Sequence, residues 1–186
     1  MPNYLSIDYL KEGNEKQRKA YGILQRHQIL EVLHPYNPIV VGTIPIEIDI
    51  PSSDVDIVCW VQYFDQFHEV VHKHFGELSG FNYQLRSDDS YVASFKIDGL
   101  EFELYAIDKP TTEQNGYLHM MIEDRLLKLF GNQFRQHIIA LKLQGYKTEP
   151  AFGLILDLAN PYEELLDLLD KTDEELSHLF RNKVLF

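Results

Sequence analysis

Between Asn14 and His34 the positions Ala20, Ile23, Leu24, His27, Leu30 and Leu33 recur every three or four residues, which predicts one amphipathic helix ended by Pro35 and Pro38. The run Pro38 to Gly42 reads as a short buried strand, and Gly42-Thr43 opens a connection through Pro45 and Pro51. A second strand is predicted at about 54 to 61, where Val55, Ile57 and Cys59 alternate with Asp54 and Asp56. The spacing of Phe64, Phe67, Val70, Val71 and Phe75 then predicts a helix over 64–75. Three further strands are expected near 81–86, 90–97 and 100–106, the last two joined at Asp98-Gly99, a strong hairpin signal. After Pro110 the pattern turns helical, at about 112–130, 133–144, 150–158, 161–170 and 173–181. A mixed α/β part over residues 1–110 is thus followed by a helical part over 111–186 expected to pack on it as a single structural unit.

Composition removes whole classes of function. With 45% apolar, 12% aromatic and 25% charged residues, 10 Gly and 8 Pro, the 186-residue chain has the proportions of a globular domain, not of a disordered or collagen-like one. No apolar run approaches the roughly 18 residues of a membrane span, and the opening residues form no apolar leader, so a cytoplasmic protein without membrane partners is expected. The one cysteine, Cys59, lies in an apolar strand and reads as a buried, inert thiol. Seventeen Lys and Arg against 29 Asp and Glu give a net charge of −12 with no local basic patch, which argues against long nucleic acid as a partner. The same balance suits solubility, and also metal-neutralised phosphates. A Gly-x-Ser-x-Gly elbow, a Walker loop and a dinucleotide fingerprint are all missing from the sequence.

The chemistry concentrates in Ser53-Asp54-Val55-Asp56. Positions i and i+2 of a strand share a face, so Asp54 and Asp56 aim at one point while Val55 and Ile57 anchor the opposite face. Two such carboxylates repel unless a cation lies between them, and oxygen-only ligands favour Mg²⁺ with phosphates completing its shell. Taken alone, a solvent-facing acidic pair also arises by chance. Twelve residues before Asp54, Gly42 allows close approach of the backbone to a phosphate and the Thr43 hydroxyl can donate to it. The later strand Gly99-Leu100-Glu101-Phe102-Glu103-Leu104-Tyr105 offers a third carboxylate if it lies beside the Asp54 strand.

Val41-Gly42-Thr43, the twelve-residue step to Asp54-Val55-Asp56, and a third carboxylate on a later strand resemble the signature of the nucleotidyltransferase superfamily typified by DNA polymerase beta. More closely, residues 42–58, Phe-Glu-Leu-Tyr at 102–105, residues 113–123 and residues 141–152 resemble a bacterial family in that superfamily known as domain of unknown function 4269. The resemblance spans about residues 20 to 170. It implies an α+β nucleotidyltransferase-like fold with a helical C-terminal extension, and transfer of a nucleoside monophosphate from a nucleoside triphosphate to a small-molecule or protein hydroxyl, with release of pyrophosphate. Two Mg²⁺ ions about 4 Å apart are implied, both held by Asp54 and Asp56. The third carboxylate, Glu103 or alternatively Glu101, would hold one ion and take the acceptor's proton. Gly42, Thr43 and Ser53 fall where the family contacts phosphate. The sequence departs from the superfamily pattern at Ile-Pro-Ile-Glu, residues 44–47, where many active members carry a basic residue and a glycine. That departure supports a second reading, a catalytically degenerate nucleotide-binding or protein-interaction module with a regulatory role.

Further candidates lie outside this core. His119 and Glu123 are four residues apart on a predicted helix and face one way, as a ligand pair, an oriented general base or an ordinary surface hydrogen bond would require. Gln114, Asn115 and Tyr117 precede them as possible readers of base or ribose. Lys142, Lys147 and Thr148 offer positive charge or a donor for a triphosphate, though solvated surface lysine is the plain alternative. Asp49 reads as a turn former or a support for the acidic pair, and His72 and His74 as surface residues.

Overall fold

The computed structural model describes residues 3–184. The chain divides into two compact units, one running up to Glu47 together with Ser53–Tyr117, the other made of Ile48–Ser52 and everything from Leu118 onward.

In the first unit, helices α1 (Asp8–Lys11), α2 (Glu15–Arg26), α3 (Ile29–Leu33) and α4 (Phe64–Phe75) accompany strands β1 (Ile39–Val41), β2 (Val55–Trp60), β3 (Ser79–Leu85), β4 (Tyr91–Ile97) and β5 (Leu100–Ile107). The five strands form one mixed sheet in the order β1-β2-β5-β4-β3. Only β2 and β5 run parallel; the other neighbours are antiparallel. Alternation works as expected on the two central strands. Val55, Ile57 and Cys59 of β2, with Phe102, Leu104 and Ala106 of β5, join Ile23, Leu24, Phe67 and Val71 in one buried cluster. The intervening Asp56 and Glu103 are left half-exposed on the opposite face. Burial pushes the Cys59 thiol pKa up, so the thiol is inert.

The single helix expected over Asn14 to His34 is two helices. The chain breaks at His27 and Gln28, where Gln28 takes a left-handed φ of 50°, so that Ile29 is buried in place of His27, which is exposed. At the start of α2, Asn14 and Gln17 form a capping box, each side chain accepting from the other's backbone N–H at 2.9 Å. The same Gln17 amide donates to the carbonyls of Ile44 and Pro45 at 2.8 and 3.2 Å, which ties the loop after β1 to the helix.

The second unit is helical: α5 (Asn115–Leu143, whose first three residues belong to the first unit), α6 (Thr148–Leu156), α7 (Pro161–Asp167) and α8 (Asp173–Phe180). Gly131 (φ 78°, ψ −165°) interrupts α5, at the gap the sequence leaves between its two predicted helices. Met120, Leu126, Leu127, Phe134, Ile138, Phe152, Leu165 and Leu176 are buried here, with Phe134 edge-on to Phe152 at 5.5 Å. A Thr172–Glu175 capping box starts α8. Among the described residues no helix is long and apolar enough to cross a membrane.

Candidate active site

Strand register gathers the acidic residues of the first unit. Asp56 is the Cα partner of Val41 on the antiparallel side and of Glu103 on the parallel side, so the end of β1, the DxD strand and the third carboxylate meet in one row. Asp54 stands just before β2, two positions from Asp56. Glu101 lies one pleat away and is engaged elsewhere, in an ion pair with Lys96 at 3.1 Å across the β4–β5 ladder.

Gly42 closes this row. Its φ of +82° disfavours any side chain, and a Cβ there would lie 2.1 Å from Asp56 Oδ2. The loop backbone thus runs against the Asp56 carboxylate, the close approach that a phosphate loop beside a metal site needs. Substituting Gly42→Ala is expected to cost at least about 1–2 kcal/mol from the left-handed backbone alone. It should also displace Asp56. A lower thermal unfolding midpoint than the parent's checks the combined effect. Beyond Gly42, the Thr43 hydroxyl donates to the Ser53 hydroxyl at 3.3 Å, joining the two ends of the loop. Lys16 of α2 donates to the Ser53 carbonyl at 3.3 Å. Sequence reasoning missed Lys16, because it lies 26 residues before Gly42 with no motif linking the two. Glu47 is exposed in the same loop with a left-handed φ of 60°.

The residues around the start of α5 divide. Gln114 is buried, and its amide donates to the carbonyls of Cys59 (2.9 Å) and Lys109 (2.8 Å), so that donor braces the backbone and is not available to a base. Asn115 is exposed and Tyr117 half-buried.

In the second unit His119 and Glu123 share a face of α5, but that face is buried, with 7% and 3% exposure, so they form no surface hydrogen bond. Glu149, in the first turn of α6, joins them: one ligand atom from each of the three lies within 4.8 Å of the others. Burial first and Glu149 second push the Glu123 pKa well above the carboxylate range, against the pull of Lys142. Burial lowers the His119 pKa, opposed by Glu149 and by a hydrogen bond with the Tyr162 backbone. Lys142 is itself buried, at 6% exposure, and its charge acts on Glu123, so it is not the solvated surface lysine of the plain alternative. Lys147 is exposed at the start of α6, followed by half-buried Thr148. Asp49 lies in the short segment assigned to the second unit, while Asp54, Asp56, Glu103, Gly42, Thr43 and Ser53 all lie in the first.

Known structures share this architecture at low sequence identity. The Cid1 poly(U) polymerase with MgGTP bound superposes with a TM-score of 0.55 and 10% identity, over 81% of this chain and 53% of its own. For the polymerase core of TRAMP, an RNA surveillance complex, the values are 0.55, 12%, 95% and 60%. For the GLD-2/RNP-8 complex they are 0.55, 14%, 96% and 70%. The chain therefore spans less than two thirds of the length of the first two. These likenesses establish the α+β nucleotidyltransferase-like fold. No curated protein matches the chain in sequence. A family model matches residues 22–168, most of the sequence, and the chain belongs to the family it describes, Domain of unknown function (DUF4269).

Proposed function

We propose that the chain is a Mg²⁺-dependent nucleotidyltransferase that moves a nucleoside monophosphate from a nucleoside triphosphate to a small-molecule or protein hydroxyl, releasing pyrophosphate. The observation that carries this reading is the row Val41–Asp56–Glu103, capped by a glycine whose missing Cβ leaves room for the Asp56 carboxylate. The donor set is all oxygen and rich in carboxylate, which fits Mg²⁺. Asp54 and Asp56 would hold two ions and Glu103 one of them. When bound, the ions supply charge stabilisation to the attacking and leaving oxygens at the α-phosphorus. Glu103 takes the proton of the acceptor hydroxyl. The Gly42 backbone and the hydroxyls of Thr43 and Ser53 donate to phosphate oxygens, and Lys16, held at Ser53, places positive charge beside a loop that has none.

A specific observation favours the degenerate module as the second reading. Residues 42–54 contain no Lys or Arg and carry Glu47, Asp49 and Asp54, and Glu47 is exposed. Calorimetric titration with ATP, GTP, CTP and UTP, with and without Mg²⁺, separates the two. Saturable, metal-requiring binding of at least one of the four is expected; no binding of any would favour the module. Pyrophosphate release then screens acceptors. RNA belongs in that screen because one similar structure is a poly(U) polymerase, although the net charge of −12 favours small-molecule or protein acceptors.

A further inference from the structure

We propose that His119, Glu123 and Glu149 form a second metal site, in the helical unit, that takes a divalent transition ion such as Zn²⁺. The site is independent of the Asp54–Asp56–Glu103 row and of the function proposed for it.

Three observations carry the assignment. Each residue offers one ligand atom, and these lie within 4.8 Å of one another, so a contraction of about 1.4 Å at most reaches the roughly 3.4 Å ligand separations of a tetrahedral ion with bonds near 2.1 Å. Both residues on α5 are more than nine-tenths buried, yet His119 Nδ1 and Glu123 Oε1 have no hydrogen-bond partner. Buried polar atoms are rarely left so, and two in one cluster are atoms that a bound ion would satisfy. The third observation concerns charge. Glu123 and Glu149 place two carboxylates side by side, and Lys142 offsets one of them. A cation between them satisfies the other.

The ring orientation supports the same assignment. Nδ1 is buried and has no partner, so it is the imidazole nitrogen left to meet an ion, while the Tyr162 backbone lies against the ring. An imidazole with two carboxylates selects Zn²⁺, Mn²⁺ or Co²⁺ over Mg²⁺. Three protein ligands leave a coordination position open, as at ions that bind an exchangeable ligand.

The test uses the full chain stripped of metal by chelator and titrated with Zn²⁺ by calorimetry, with metal content measured after desalting. One Zn²⁺ per chain is expected in the Asp54→Asn, Asp56→Asn protein, where the other carboxylate site is neutralised, and adding Glu149→Gln should weaken it more than about 100-fold. Saturating Co²⁺ on the parent should give visible absorption bands that Zn²⁺ abolishes, a readout that does not depend on any variant folding. The proposal is overturned if adding Glu149→Gln leaves Zn²⁺ as tightly bound, if the Asp54→Asn, Asp56→Asn protein loses the ion, or if the parent takes up neither ion. Nucleotide titrations are read separately, so failure here leaves the triphosphate site untouched.

Discussion

Replacing Asp54 and Asp56 together by asparagine is expected to weaken Mg²⁺-dependent nucleotide binding by more than about 100-fold and to abolish pyrophosphate release, while the protein stays folded. The reduction follows from the ligands themselves: even changes to groups behind a metal ligand cost about 10–100-fold in affinity, and here both carboxylates that would hold the ions are neutralised. Folding should not suffer. Asp56 is half-exposed and Asp54 precedes the strand, while the core contacts of β2 come from Val55, Ile57 and Cys59 on the other face. Removing two neighbouring negative charges from a chain of net charge −12 relieves repulsion, so melting in chelator should occur at or above the parent temperature. Calorimetry and thermal unfolding on the same preparations check both halves. Nucleotide bound as tightly as by the parent would show that the row is not the donor site.

The first unit was legible because its strands obey two simple rules. Alternation located β2 and β5, and Asp98-Gly99 fixed the hairpin, whose register sets Lys96 opposite Glu101 and so Glu103 one pleat further on. Helix α4 begins and ends where its apolar spacing does. Sequence could not show that β5 pairs directly with β2, because the two are separated by α4, β3 and β4 and only tertiary packing joins them. The break at Gln28 was invisible for a different reason. A glutamine in the left-handed region carries no glycine or proline signal, and the periodicity continues almost unbroken through it. Likewise Lys142 looks like a solvated lysine on a separate predicted helix from Glu123; the two are joined in one helix interrupted at Gly131, and both are buried with Lys142 acting on Glu123. Glu149 adds its carboxylate from a separate helix, 26 positions after Glu123, a distance at which no local pattern could connect them.

Glu103→Gln and Glu101→Gln make the most discriminating pair of variants on the β-sheet, because they change the same residue type on the same strand and face. Glu103 is the register partner of Asp56, and as the acceptor of the hydroxyl proton its loss should lower turnover by about 10²–10⁴-fold, the usual worth of a positioned base. Nucleotide affinity should fall far less, because Asp54 and Asp56 remain to hold the ion that accompanies the triphosphate. Glu101 is exposed and paired with Lys96, so its change should alter turnover by less than about 2-fold and stability by at most about 1 kcal/mol. Pyrophosphate release at saturating nucleotide and acceptor, measured beside nucleotide affinity, separates these effects. A large loss of turnover with Glu101→Gln and none with Glu103→Gln would shift the third ligand by one pleat, and the site would then be built around the Lys96 ion pair instead of the Asp56 row.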